Sequence, residues 1–311
     1  MRGLERIPFV VVAAVLTAAI TGGCGLGAGK GTSNVSLTVT RSFGTQPIGS
    51  ITRNRVPGSE TVMRMLQRSF KVTTRFGGGF VQSIDGISGT ASQRDWFYYV
   101  NGIQAKVGAA STAVHRGDRI WWDLHDWSAT DSVPAVVGSF PEPFIHGVKG
   151  RRLPTTLECA PDVPDACKQV AAELKAVGVP VATQLLGTGS GTDSLAVLVG
   201  TWGDLHGTFA GILIAHGPSA SGVYARFNGT EGRSLELLDP HGGAVRTLGA
   251  GTGLVAATAQ GSSSPAWLVT GTDAAGVSAA ADALTPKRLL HHFALAVQGN
   301  TDLPVPLQGA Q

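Results

Sequence analysis

Residues 95–127 read DWFYYVNGIQAKVGAASTAVHRGDRIWWDLHDW, and the first half of the chain is organised around them. The stretch holds four of the six tryptophans (Trp96, Trp121, Trp122, Trp127) and two of the three tyrosines, Tyr98 and Tyr99. WFYYV and IWWDL are short, aromatic and β-prone. Asn101-Gly102 follows the first run, and both residue types accept the positive φ of a type I′ hairpin turn. His115-Arg116-Gly117-Asp118 supplies a second turn, so its Arg-Gly-Asp tripeptide reads as turn chemistry rather than an adhesion signal. The expectation is a small sheet with one aromatic face against a helix and a second face partly exposed.

Upstream, Leu37 and Val39 alternate in a first strand from Ser36 to Thr40, and Ile48 to Val56 returns as a second. Ser59 is the expected helix cap, with Glu60 in the first turn. Val62, Met65, Leu66 and Phe70 then follow the helical period, the methionines as core filler. Gly77-Gly78-Gly79 bends the chain into a strand from Phe80 to Ile84, and Asp85-Gly86 turns it again.

Ser59-Glu60-Thr61-Val62, the WFYYVNG run from Trp96 to Gly102, Gly108-Ala109, and VHRGDRIWW from Val114 to Trp122 occur in an order that resembles the DUF4430 domain. This is a β-grasp module similar to the C-terminal domain of transcobalamin and intrinsic factor, and the resemblance covers roughly Val35 to Asp126. Trp96, Tyr99, Asn101, Gly102, Gly117, Asp118 and Trp122 match its fold-defining pattern. In the cobalamin carriers the module packs over a ligand held by a larger helical-barrel domain. This chain has no counterpart to that barrel, and no matched residue identifies cobalamin. No cofactor is therefore expected, and cobalamin enters only through the distant resemblance.

Within this unit the candidate ligand surface is Trp96, Tyr98, Trp121 and Trp127, with Asp123 and His125 as polar partners. Aromatic area desolvates a planar or sugar-like ligand while backbone groups orient it. Strand alternation opposes this reading for individual residues, since Trp121 and Trp122 face opposite ways and one of them belongs in a core. A metal on Asp123 and His125 requires a regular strand, and a solvated sheet edge is the simpler reading.

At the N-terminus, Arg2 and Arg6 precede an apolar run from Pro8 to Ile20, followed by Thr21-Gly22-Gly23-Cys24. A basic segment, a short apolar segment and small residues before a cysteine form an export signal resembling a bacterial lipobox. Cleavage before Cys24 makes residues 1–23 a signal peptide, Cys24 the lipidation site and residues 24–34 a flexible tether. The formal charge is +3, and losing Arg2, Arg6 and Glu5 leaves +2. So small an excess, without a Lys/Arg stripe, excludes a nucleic-acid role on electrostatic grounds.

The β-grasp unit is expected over residues 35–130, a proline-punctuated linker and domain entry over 131–158, a mixed α/β domain over 159–300 and a tail over 301–311. Cys159 and Cys167 are the natural pair in an exported chain. Pro164 suits the first turn of a helix with Val170, Leu174 and Val177 on its apolar side, stopped by Gly178. Leu195 to Val199 is apolar enough for a buried strand, Gly253 to Ala259 pairs with Ala266 to Thr270, and Asp273 caps the clearest later helix. Phe293 to Val297 is the expected last strand.

The enzyme-like signals are incomplete. Gly251-Thr252-Gly253-Leu254-Val255-Ala256 fits a loose dinucleotide pattern without the long helix that should follow. Ser219 or Ser221 with His216 or His241 and Asp239 has no Gly-x-Ser-x-Gly elbow. Asp204 and His206 supply only two of the three protein ligands a catalytic zinc takes. The fold class read from the sequence is α+β, an N-terminal β-grasp-like domain followed by a second mixed α/β domain. The function read from it is a lipid-anchored protein on the extracytoplasmic side of the membrane. It binds a small molecule, glycan or envelope protein without catalysis, the alternative being a metal-dependent cell-wall hydrolase.

Overall fold

The computed structural model describes residues 31–89, 93–191 and 193–308. The signal, Cys24 and most of the tether lie outside these residues. The first unit comprises β1 (Val35–Arg41), β2 (Gln46–Arg53), α1 (Val62–Gln67), β3 (Val72–Arg75), β4 (Phe80–Ile84), β5 (Ile87–Ser88), β6 (Arg94–Val100), β7 (Ile103–Gln104) and β8 (Arg119–Asp126). Its main sheet has the order β2-β1-β8-β6-β7, with the terminal strands β1 and β8 parallel and the other pairs antiparallel. Strands β3, β4 and β5 form a separate small sheet.

The aromatic runs are β6 and β8, joined in register from Arg94 opposite Asp126 to Val100 opposite Ile120. Asn101 has φ 54° and Gly102 φ 75°, as the turn between β6 and β7 requires. Helix α1 is capped by Thr61, whose side chain accepts the Arg64 N–H at 3.2 Å; Ser59, the expected cap, lies two residues too early. Glu60 stands before the helix and pairs with Arg68 at 2.7 Å. Val62, Met65 and Leu66 pack into a core with Leu37, Val39, Trp96, Tyr98, Trp122 and Leu124.

The second unit runs β9 (Thr155–Cys159), α2 (Pro164–Ala176), β10 (Val181–Leu185), β11 (Leu195–Thr201), α3 (Trp202–Leu205), α4 (Phe209–Ala215), α5 (Pro218–Ser221), β12 (Ala225–Phe227), β13 (Leu235–Leu238), β14 (Ala244–Leu248), β15 (Thr252–Thr258), β16 (Ala266–Gly271), α6 (Ala274–Asp282), α7 (Pro286–Leu289), β17 (Ala294–Gln298) and β18 (Thr301–Val305). Its seven-stranded sheet has the order β10-β9-β11-β16-β15-β17-β18, parallel through β16 and antiparallel beyond. One face packs on α2 and α6. The other packs on α3, α4 and the three-stranded sheet β12-β13-β14, giving three layers around continuous apolar strands.

The proline at the first helical position of α2 and the Asp273 cap of α6 are in place. The Gly251–Ala256 pattern lies mainly in β15, and its glycine serves packing. A Cβ on Gly253 would sit 2.3 Å from the Gly276 carbonyl of α6, so the missing side chain lets the helix backbone rest on the strand. Two expected segment limits are displaced. Residues 301–305 form β18 rather than tail, because they pair with β17 along its length. The expected linker is packed structure: Val136, Val137, Phe140 and Phe144 are buried, the two phenylalanines against Trp267.

Candidate functional site

Alternation along β6 and β8 divides the nominated surface between the two faces of the sheet. Trp96 and Tyr98 point into the core beneath α1, and Tyr98 stacks on Trp122 with ring centroids 4.8 Å apart. The Tyr98 hydroxyl donates to the Val107 carbonyl at 2.6 Å and is 2.8 Å from Thr112 Oγ1; burial pushes its pKa up. Trp121, Asp123 and His125 point the other way. Trp127 is half-buried and donates Nε1–H to Asp95 at 2.8 Å. The six residues do not form one accessible surface, and Trp96, Tyr98, Trp121, Asp123 and His125 are all buried. The face expected to be partly open is covered by the second unit, which supplies apolar partners far away in sequence.

That junction has an ordered polar centre. Asp123 accepts the N–H groups of Phe43 at 3.0 Å and Gly44 at 2.9 Å, His125 Nδ1–H at 2.9 Å, and the Thr40 hydroxyl. Thr40 Oγ1 in turn accepts Trp121 Nε1–H at 2.7 Å. The imidazole of His125 lies between Phe43 and Phe97, at centroid distances of 4.7 and 4.5 Å, and meets Phe293 edge-on. Phe43 also meets Tyr224 and Phe293, so the two units share one apolar cluster. Fully burying a side chain of this size is worth about 1.5–3 kcal/mol, which makes the cluster a structural joint.

Tyr99 and Tyr224 bring buried hydroxyls without a hydrogen-bond partner to this joint. Desolvation drives both phenols up; the Asp123 charge and Tyr224 add to it for Tyr99, and the Asp126 charge for Tyr224. His291 and His292 border it, and burial lowers both imidazoles. Phe43, Tyr224, His291 and Phe293 escaped the sequence reading because no local pattern ties them to β8.

The remaining signals resolve into local structure. Asp204 turns back onto Thr201 in a capping box, and His206 Nδ1 lies 2.8 Å from the Gly203 carbonyl. Ser221 Oγ donates to the Gly217 carbonyl and accepts the Val223 N–H, remote from any triad geometry. No group of three His, Cys, Asp or Glu poised for a metal occurs among the described residues. In the Arg-Gly-Asp turn, Asp118 is buried, accepting the His115 N–H at 2.7 Å and Asn101 Nδ2–H at 3.0 Å.

An accessible aromatic pair lies elsewhere, on the β3–β4 hairpin. Phe76 is 87% exposed with φ 52°, a conformation bulky residues rarely adopt. Phe80, across the three glycines, is 37% exposed and meets Phe76 edge-on at 6.4 Å. The loop after β7 comes alongside, since a Cβ on Gly108 would lie 3.8 Å from the Gly79 carbonyl, and its Val107 is 59% exposed. The sequence signal was FGGGF itself, an aromatic pair around a run too flexible to hide it.

No curated protein matches the chain. Two solved structures overlap it with a TM-score of 0.25. One is a proposed metal binding protein from Ruminococcus gnavus, at 18% identity over 30% of this chain and 97% of that one. The other is haptocorrin in complex with Cbi, at 16% identity over 30% of this chain and 25% of haptocorrin. Residues 59–126, from the approach to α1 through the end of β8, match the family model described as domain of unknown function DUF4430.

Proposed function

We propose that the protein is a lipid-anchored, extracytoplasmic envelope protein that acts by binding rather than catalysis, with the β-grasp unit meeting the partner. One observation carries the reading: the exposed apolar tip of Phe76, Phe80 and Val107. An almost fully exposed phenylalanine at positive φ goes against both burial and backbone preference, and such departures concentrate where function holds them. The binding surface thus moves to the hairpin from the aromatic strands, where Trp96 is core beneath α1 and Trp121 packs against the second unit. The signal-like N-terminus and the Cys159–Cys167 disulfide support an oxidising compartment.

A photo-crosslinking amino acid at position 76, in cells making the full chain, tests this. Val245, 48% exposed on the second unit, is the control position. A discrete adduct at 76 and none at 245 is expected. Equal labelling at the two positions would remove the hairpin as a binding element.

A further inference from the structure

We infer that the hairpin tip is a membrane-interface anchor, inserting Phe76, Phe80 and Val107 among the headgroups of an anionic bilayer. This rests on the binding reading above and names its partner as a lipid surface. Three observations bear on it. The first is the shape and chemistry of the tip: two phenylalanines and a valine project from adjoining loops, the side chains that partition into an interface. No neighbouring atom lies within 4 Å of the Cβ positions of Gly77 or Gly78, so the bend between the two phenylalanines faces open space.

The second is charge. Arg75 and Lys106, both exposed, flank the apolar residues. Residues 71–80 and 103–116, which form the tip and the loop against it, contain Lys71, Arg75, Lys106 and Arg116 and no Asp or Glu. Basic residues around an apolar wedge complement anionic headgroups, whereas a protein groove for phenylalanine needs no such one-sided rim.

The third is where the chain enters. The loop that touches the tip at Gly108 runs on to Gly117, whose N–H donates to the Ser33 carbonyl at 3.0 Å. Seven residue steps separate Cys24 from Gly31. Such a segment spans at most about 25 Å, so a lipid on Cys24 holds this part of the domain close to the bilayer.

The test is flotation with lipid vesicles of the chain from residue 25 onward, which contains every described residue and no acyl group. Binding is expected to vesicles of equal phosphatidylglycerol and phosphatidylcholine, and not to phosphatidylcholine alone. Phe76→Ser with Phe80→Ser should lower the bound partition at least about tenfold. Arg75→Glu with Lys106→Glu should weaken it, and added salt should weaken wild type. Circular dichroism checks that the variants remain folded. In Phe76→Trp, an emission blue shift on adding anionic vesicles reports insertion directly. Failure of the wild type to float, or unchanged flotation of the folded Phe76/Phe80 variant, overturns the anchor. A protein adduct from position 76 without vesicle binding also overturns it and leaves the binding reading standing; no adduct and no vesicle binding removes both.

Discussion

Asp123 accepts the backbone N–H of Phe43 at 3.0 Å, and that bond fixes the turn after β1 against the second unit. The same carboxylate takes the Gly44 N–H, the Thr40 hydroxyl and His125. Removing it strands several buried donors at once. Asp123→Ala should therefore lower the unfolding free energy by about 3 kcal/mol or more, and Asp123→Asn, which keeps one acceptor oxygen, by less. Urea unfolding followed by tryptophan fluorescence checks the order; equal stability of Asp123→Ala and wild type would contradict the structural role.

Gly44 and Gly86 have nearly the same backbone, φ 82° and 81°, and differ in what surrounds them. A Cβ on Gly44 would lie 1.9 Å from the His291 carbonyl, while nothing lies within 4 Å of one on Gly86. Gly86→Ala should cost only the left-handed strain, about 1 kcal/mol. Gly44→Ala should cost a further ~2 kcal/mol, because backbone must move out of the way. Paired unfolding curves measure the difference, and equal losses would show that the junction at His291 yields freely.

These residues also mark what the sequence disclosed. The β6 and β8 runs, their turn and the opposition of Trp121 to Trp122 were legible because side chains alternate along a strand whatever surrounds it. The cover over Trp121, Asp123 and His125 was not. Tyr224 and Phe293 lie roughly a hundred or more residues downstream, and alternation says which residues share a face without saying what lands on it. Phe43 falls between the strands read at Ser36 to Thr40 and Ile48 to Val56, where no period marks it. Phe80 is read from the sequence as the start of the strand after the Gly77-Gly78-Gly79 bend, and Phe76 is not singled out, because periodicity assigns an element without saying which of its ends stays in solvent.

The two phenols of the junction give it a pH dependence with a defined sign. Tyrosine in the unfolded chain ionises near pH 10, and both Tyr99 and Tyr224 are raised above that in the fold, by burial first. Above about pH 10 the unfolded chain gives up protons the folded chain keeps. Stability is then fully present below that pH and falls as pH rises. Tyr99→Phe with Tyr224→Phe should flatten the fall in thermal midpoint between about pH 9 and 11. At neutral pH, where two unpartnered hydroxyls have been removed, stability should stay within about 1 kcal/mol of wild type or rise. An unchanged alkaline slope would place the dependence in other groups.

Cys159, at the end of β9, is bonded to Cys167 in α2, closing a loop eight residues long in sequence separation. The chain-entropy relation gives such a loop a stabilisation of about 2.5 kcal/mol. Cys159→Ala with Cys167→Ala should lose roughly that amount and leave the secondary structure intact by circular dichroism. A loss well outside that size would mean that strain or residual unfolded structure governs the bond.

The N-terminal prediction is the one on which location depends. Residues 1–24 lie outside the described part of the molecule. Arg2 and Arg6 precede the apolar run Pro8 to Ile20, and Thr21-Gly22-Gly23 puts small residues directly before Cys24. Cleavage between Gly23 and Cys24 should give a mature chain whose first residue carries a diacylglyceryl group. Mass spectrometry of the N-terminal peptide reads this directly, and an unmodified Met1 or a bare Cys24 would contradict it. Cys24→Ala should block both cleavage and acylation, leaving precursor held by its apolar run and separable from mature protein by size. If that variant is processed normally, a general signal peptidase cuts instead and the covalent tether is absent. Flotation of the hairpin variants on anionic vesicles would then measure the whole membrane affinity rather than the second of two contacts.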